Sequence, residues 1–205
     1  MTHRTVRNTG WLCLSASLLL AGATLAQAPA ATPPATAGTA APAAQDDPTR
    51  RPSPMAMART TLGEAYLRVV YCRPGKRGRD NIFGTAEAKA LVPYGTIWRT
   101  GANEATELTV TRDVLIGGHR LAAGNYSLFT TPGPDRWKLH INSGLGQWGS
   151  RDYDAAKDVL VLEAVPTALA QEVEWFTIAF EPHDPGTDLV LRWVTTEVRV
   201  PIRLP

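Results

Sequence analysis

Beyond Pro54 the apolar residues of this chain recur at every second position, in four separate runs. Leu67, Val69 and Tyr71 alternate with Tyr66, Arg68 and Val70, and Leu108 and Val110 alternate with Glu107, Thr109 and Thr111. Trp137, Leu139 and Ile141 alternate with Arg136, Lys138, His140 and Asn142, which turns His140 toward water. Thr196, Val198, Val200 and Ile202 alternate with Thr195, Glu197, Arg199 and Pro201. Period two puts one set of side chains on one face of a strand, whereas a helix would scatter them. Two further runs, 159–165 and 173–180, are apolar on both faces and read as central strands.

Turn residues separate the runs. Gly117-Gly118 between Val114-Leu115-Ile116 and His119-Arg120-Leu121 is a two-residue hairpin signal. Pro132-Gly133-Pro134 and the stretch from Pro182 to Gly186 are further turns. Only Thr85 to Leu91 suggests a helix, of about two turns, with Thr85 as its N-cap. Strands at this spacing predict an all-β chain, an antiparallel β-sandwich or jelly-roll-like single domain with one short helix.

The first fifty residues belong to another regime. Residues 1–26 read as a secretory signal: Arg4 and Arg7 precede an apolar run from Trp11 to Ala23, and small residues follow. That run falls short of the ~20 residues of a bilayer-spanning helix. Residues 27–48 are almost entirely Ala, Pro and Thr and predict an extended, mobile linker. Residues 49–205 remain for one β domain, large enough to bury a core without disulfides or metal. No second apolar run of membrane length follows, so no stable transmembrane segment is expected after cleavage, and the expected location is the periplasm or outside the cell.

Cleavage near Ala26 would remove two arginines and no acid, taking the formal charge from +2 to zero. A neutral domain has no global field to draw nucleic acid, which is excluded as an expected partner. Of the two cysteines, Cys13 falls in the signal, leaving Cys72 without an internal disulfide partner and expected as a buried filler.

Several segments together resemble a known family. They are Tyr71-Cys72-Arg73-Pro74 with Gly78-Arg79, Ile82-Phe83-Gly84, Leu91-Val92-Pro93-Tyr94-Gly95, the stretch from Trp98 to Thr106, the stretch from Ala123 to Phe129, and Trp148-Gly149. The combination resembles DUF2911, a bacterial family of exported proteins, from about Arg51 to the C-terminus. The resemblance implies an exported β domain and no particular reaction.

Three segments carry residues suited to a site. The basic loop from Arg73 to Asn81, with Arg79, is either a solvated loop or an anion contact. The segment from Trp98 to Thr106 holds Arg99, Asn103 and Glu104, which either brace the loop or face a ligand pocket. The glycine-rich stretch from Asn142 to Tyr153 holds Trp148, whose ring either meets a sugar or peptide or plugs the end of the sandwich. His119, His140 and His183 show no metal-ligand spacing, so neither a metal nor a cofactor is expected. A Ser–His–acid triad needs no sequence adjacency, and no Gly-x-Ser-x-Gly elbow is present.

The expected function is therefore a non-enzymatic binding module for a saccharide, peptide or anionic cell-envelope ligand, using Arg79, Arg99, Asn103, Glu104 and Trp148. The alternatives are an envelope-polymer hydrolase with Glu104 as acid or base, paired with Asp152 or Asp158, and a structural or assembly module with no small-molecule ligand.

Overall fold

A computed structural model describes residues 51–205. The expected signal (1–26) and linker (27–48) lie outside the described residues. The strands are β1 (Met55–Leu62), β2 (Ala65–Cys72), β3 (Phe83–Gly84), β4 (Val92–Pro93), β5 (Thr106–Val110), β6 (Val114–Ile116), β7 (His119–Leu121), β8 (Gly124–Thr131), β9 (Trp137–Asn142), β10 (Asp158–Ala164), β11 (Thr167–His183) and β12 (Gly186–Arg203). They form an antiparallel six-stranded sheet in the order β1-β2-β5-β8-β9-β10 and a four-stranded sheet in the order β11-β12-β6-β7. A short parallel pair, β3–β4, stands apart. The architecture is the expected all-β sandwich.

The period-two runs account for the core. Leu67, Val69, Leu108, Val110, Leu139 and Ile141 come inward from the six-stranded sheet and meet Ile178, Leu189, Leu191, Val198, Val200 and Ile202 from the other. Gly117 and Gly118 both take positive φ and turn β6 into β7, as a type I′ hairpin requires. Large aromatic side chains fill the middle. Trp98 stacks on Trp193 with ring centres 5.9 Å apart, and meets Phe176 edge-on at 5.0 Å. Phe83 packs edge-on against Trp98, Trp137 and Trp193. Such pairs add ~0.5–1.5 kcal/mol each beyond their burial.

Three local expectations are corrected. Residues 85–91 form a turn rather than a helix. Thr85 does cap it, its hydroxyl accepting from the Ala88 N–H at 3.3 Å, but Lys89 takes a φ of 54° and leaves the helical basin. The chain then joins the β3–β4 pair, with the Val92 N–H donating to the Ile82 carbonyl at 2.8 Å. The runs 159–165 and 173–180 lie on β10 and β11, the outermost strands of their sheets and not central ones, although β11 also meets the short Gly75–Trp175 bridge on its other side. Val159, Val161 and Val165 are accordingly exposed. Continuous apolar character records burial of two faces only when a second layer covers both, and here none does. His140 occupies the outer face, as its alternation with Lys138 requires, but Tyr153 packs over it and only 12% of its side chain remains exposed.

A charge network links β11 and β12. Arg192 forks onto Glu181 at 2.5 and 3.0 Å and reaches Glu197 through Nε at 2.5 Å. Arg199 joins Glu197, Glu181 and Asp188. Arg192 foremost, with Arg199 assisting against a smaller opposing effect of burial, holds the Glu181 carboxyl down from 4.5 to about 2. Because the folded value lies below the ordinary one, this stabilisation is complete above the ordinary carboxylate range and is lost as pH falls toward 2. The thermal unfolding midpoint is expected to drop between about pH 5 and pH 2, and to drop less steeply in Glu181→Gln, when followed by circular dichroism. In the core, Trp98→Ala is expected to cost about 3–5 kcal/mol, read from the shift of the urea unfolding midpoint.

Candidate functional site

The site begins with the anchoring of Trp98. Its backbone bonds Thr130 of β8 in both directions, at 2.7 and 2.9 Å, and its indole N–H donates to the Gly101 carbonyl at 2.9 Å. The next residues are folded into a tight loop. The Thr106 hydroxyl donates to the Thr100 carbonyl at 2.6 Å, and the Thr106 N–H to the Arg99 carbonyl at 3.1 Å. Gly101 has to be glycine here, because a Cβ would sit 2.8 Å from the Cys72 carbonyl oxygen. Asn103 takes a φ of 55°, a conformation that Asn tolerates better than most residues, and its amide donates to the Ser53 carbonyl at 3.1 Å.

A second loop is zipped onto the first. Glu104 and Trp148 form a β-bridge, the Ala105 N–H donates to the Gln147 carbonyl, and the Gly149 N–H donates to the Asn103 carbonyl, the last two at 2.9 Å. The result is an open groove of about 410 Å³ lined by Arg99, Asn103, Trp148, Gly149, Ser150 and Arg151. The Trp148 side chain is 59% exposed. Among the described residues no carboxylate pairs with Arg99, and its buried Nε has no hydrogen-bond partner. Burial pulls the Arg99 guanidinium below its ordinary pKa. An unpaired buried donor of this kind is costly unless something fills its place.

Glu104 has a different setting. Its carboxylate takes Arg51 Nη1 at 2.5 Å and the Cys72 thiol at 3.3 Å. Arg51 also lies over the Trp148 ring, 5.5 Å from its centre. Burial alone would raise the Glu104 pKa, but hydrogen bonds from Arg51, its own backbone N–H and Cys72 outweigh it and hold the group below its usual value. Glu104 borders a smaller cavity of about 160 Å³ together with Met55, Cys72, Glu107 and Gln147. Cys72 is buried, and burial pushes its thiol pKa up.

Of the five residues singled out from the sequence, the fold thus brings Arg99, Asn103 and Trp148 together on one groove, with Glu104 beneath its rim. Arg79 stands elsewhere. It lines a separate depression with Asp80, Asn81, Lys89 and Leu91, and its guanidinium donates to the Gly75 carbonyl. The rest of the basic loop is braced on β11: Lys76 pairs with Glu172 at 2.8 Å, and Arg73 donates to the Phe176 carbonyl at 3.0 Å. Among the groove residues that sequence reasoning left out of the site, Arg151 is the charged one. Its position three residues after Trp148, in the same glycine-rich loop, was the available signal. Among the described residues no group of three or more His, Cys, Asp or Glu is placed to hold a metal ion. No described helix is long and apolar enough to cross a membrane.

The fold and groove define an antiparallel β-sandwich that carries a cationic, tryptophan-edged groove on the loops flanking β5 and β9. The family described as a protein of unknown function, DUF2911, matches residues 53–202, and the chain belongs to that family. No curated protein and no solved structure matches it.

The Glu104–Cys72 contact has a measurable consequence. Hydrogen bonding to Glu104 and its negative charge both raise the thiol pKa. Glu104→Gln is expected to move the onset of Cys72 modification by a disulfide reagent to lower pH. The check is the rate-against-pH profile of the folded protein.

Proposed function

We propose that this protein is exported and that its groove is a binding site, without chemistry of its own, for an anionic saccharide of the cell envelope. The observation that carries this reading is the Arg99 guanidinium, half-buried beside an exposed tryptophan, with a buried Nε that has no hydrogen-bond partner among the described residues. A carboxylate matches the planar fork of an arginine and would supply the missing acceptor. Arg151 adds a second positive charge on the same groove, and the Asn103 amide and Ser150 hydroxyl add neutral polar groups. The Trp148 ring offers a flat apolar face of the kind on which a sugar ring packs. The signal-like residues 1–26 support delivery to the periplasm or beyond.

Two observations favour binding over hydrolysis at Glu104. The carboxylate is ion-paired with Arg51, and its pKa is lowered, whereas a general acid needs a raised one. It therefore serves to hold Arg51 against Trp148 rather than to deliver a proton.

The test is calorimetric titration of the purified protein with oligogalacturonate, with a neutral oligosaccharide of the same length as control. The acidic ligand is expected to bind and the neutral one to bind at least tenfold more weakly, with affinity falling as salt is added. Arg99→Gln and Trp148→Ala are each expected to weaken binding about tenfold or more, as loss of a charged hydrogen bond or a stacking ring does. Equal binding of the charged and neutral oligosaccharides, or affinity unchanged in both variants, would overturn the proposal.

A further inference from the structure

Away from the groove, the outer face of the six-stranded sheet holds a hydroxyl, an imidazole and a carboxylate in series. Thr131 Oγ1 lies 3.0 Å from His140 Nε2, and His140 Nδ1 lies 2.9 Å from Asp158 Oδ2. Three neighbouring strands position them: Thr131 closes β8, His140 is in β9, and Asp158 opens β10. Asp158 is gripped from other sides too. Its Oδ1 accepts from the Asn142 amide at 2.7 Å, and its Oδ2 accepts from the Tyr153 hydroxyl at 2.5 Å. Burial, together with the Asp158 charge, raises the Tyr153 pKa well above its ordinary value, so the phenol keeps its proton and acts as a donor.

The Tyr153 hydroxyl also lies 3.1 Å from His140 Nδ1, but its shorter bond to Asp158 commits its proton there, and together these contacts favour one direction of the chain. A carboxylate that accepts from Asn142 and Tyr153 also calls for a proton on the imidazole nitrogen facing it, so Nδ1 carries the hydrogen. Nε2 is then left with its lone pair turned toward Thr131, whose hydroxyl donates to it. A nucleophile, a base and an orienting acid are connected in this same order in hydroxyl-based acyl-transfer centres. Accessibility is graded in the matching order. The Asp158 side chain is 9% exposed and that of His140 12%, while Thr131 is half-buried at the strand end. Directly across from Thr131 in the ladder, Lys138 stands on the same face and is exposed, bringing a cation within a side chain's reach of the hydroxyl.

We propose that Thr131, His140 and Asp158 form a second site, an acyl-transfer centre acting on small carboxylic esters. Thr131 Oγ1 bonds to the acyl carbon while its proton passes to His140 Nε2, and the Lys138 ammonium offsets the charge developing on the carbonyl oxygen. The bond from the acyl carbon to the alkoxy oxygen then breaks, and the alcohol leaves with the proton held by His140. Water attacks the acyl-threonine, His140 takes and returns the proton, and the carboxylic acid departs with Thr131 restored. Asp158 is a positioning residue that fixes the tautomer. The groove plays no part in these steps, so the outcome below leaves ligand binding there untouched.

The probe is p-nitrophenyl acetate with the full chain, following nitrophenolate release and mapping acetyl groups by mass spectrometry of quenched digests. Acetylation of Thr131 followed by turnover is the expected result. Thr131→Val keeps the side-chain shape and removes the hydroxyl, and it is expected to lower the rate about 100-fold with an unchanged circular dichroism spectrum. His140→Gln is expected to do the same, and if that variant fails to fold, the acetyl map of the wild type against Thr131→Val decides. Acetyl groups on lysines alone, or a release rate unchanged in Thr131→Val, would overturn the proposal.

Discussion

Trp98 stacks on Trp193 of the four-stranded sheet while its own backbone is bonded to Thr130 of the six-stranded one. One residue outside either sheet therefore ties the two layers together. Its neighbours Phe83, Trp137 and Phe176 complete an aromatic filling that no single strand supplies. Everything at the groove follows from this attachment. The indole N–H fixes Gly101, and the loop from Arg99 to Ala105 closes over Cys72 through the Ala102 N–H. Arg99 is then half-buried without a counter-charge among the described residues because the chain on both sides of it is held by the core. A loop carried only by surface contacts would swing to give such a guanidinium a partner.

The strands were legible in the sequence because a strand with one wet face writes its geometry into alternate residues, as β2, β5 and β9 do. The two apolar runs misled because hydrophobicity alone does not distinguish a strand covered on both faces from an edge strand left with exposed valines. The Thr85 signal was real as chemistry, since the cap forms, but one capping bond cannot carry a helix when Lys89 leaves the helical basin and the chain is drawn into the pair with β3. At the groove, Arg99 and Asn103 could be found together because they are neighbours in sequence, and Trp148 because its loop is rich in glycine. That Glu104 would face Arg51 and Cys72, and that Arg79 would lie apart, depend on contacts between residues far apart in the chain. So does the alignment of Thr131, His140 and Asp158, which belong to three strands and share no motif.

The stretch from Ser143 to Lys157 serves two regions at once. Its first half bridges to Glu104 and supplies Trp148 and Arg151 to the groove. Its second half sets Tyr153 on Phe129, His140 and Asp158, and ends in a single 3₁₀ turn, Ala155–Lys157, capped by the Asp154 carboxylate. The segment is held by the Asn142 side chain, which donates to the Asp154 carbonyl and accepts from the Gly144 N–H. A fully buried asparagine at the end of β9 is thus the common hinge post of both regions.

Arg51 and Ser53 precede the first strand, yet they already grip the site: Arg51 through Glu104 and the Trp148 ring, Ser53 through the Asn103 amide. The chain reaches its groove before it reaches its sheet. A mechanical load applied along the segment leading into Arg51 is therefore borne first by the groove's rim, and only afterwards by the β1–β2 ladder. In a protein held at that end, tension and occupancy of the groove would act on the same few bonds.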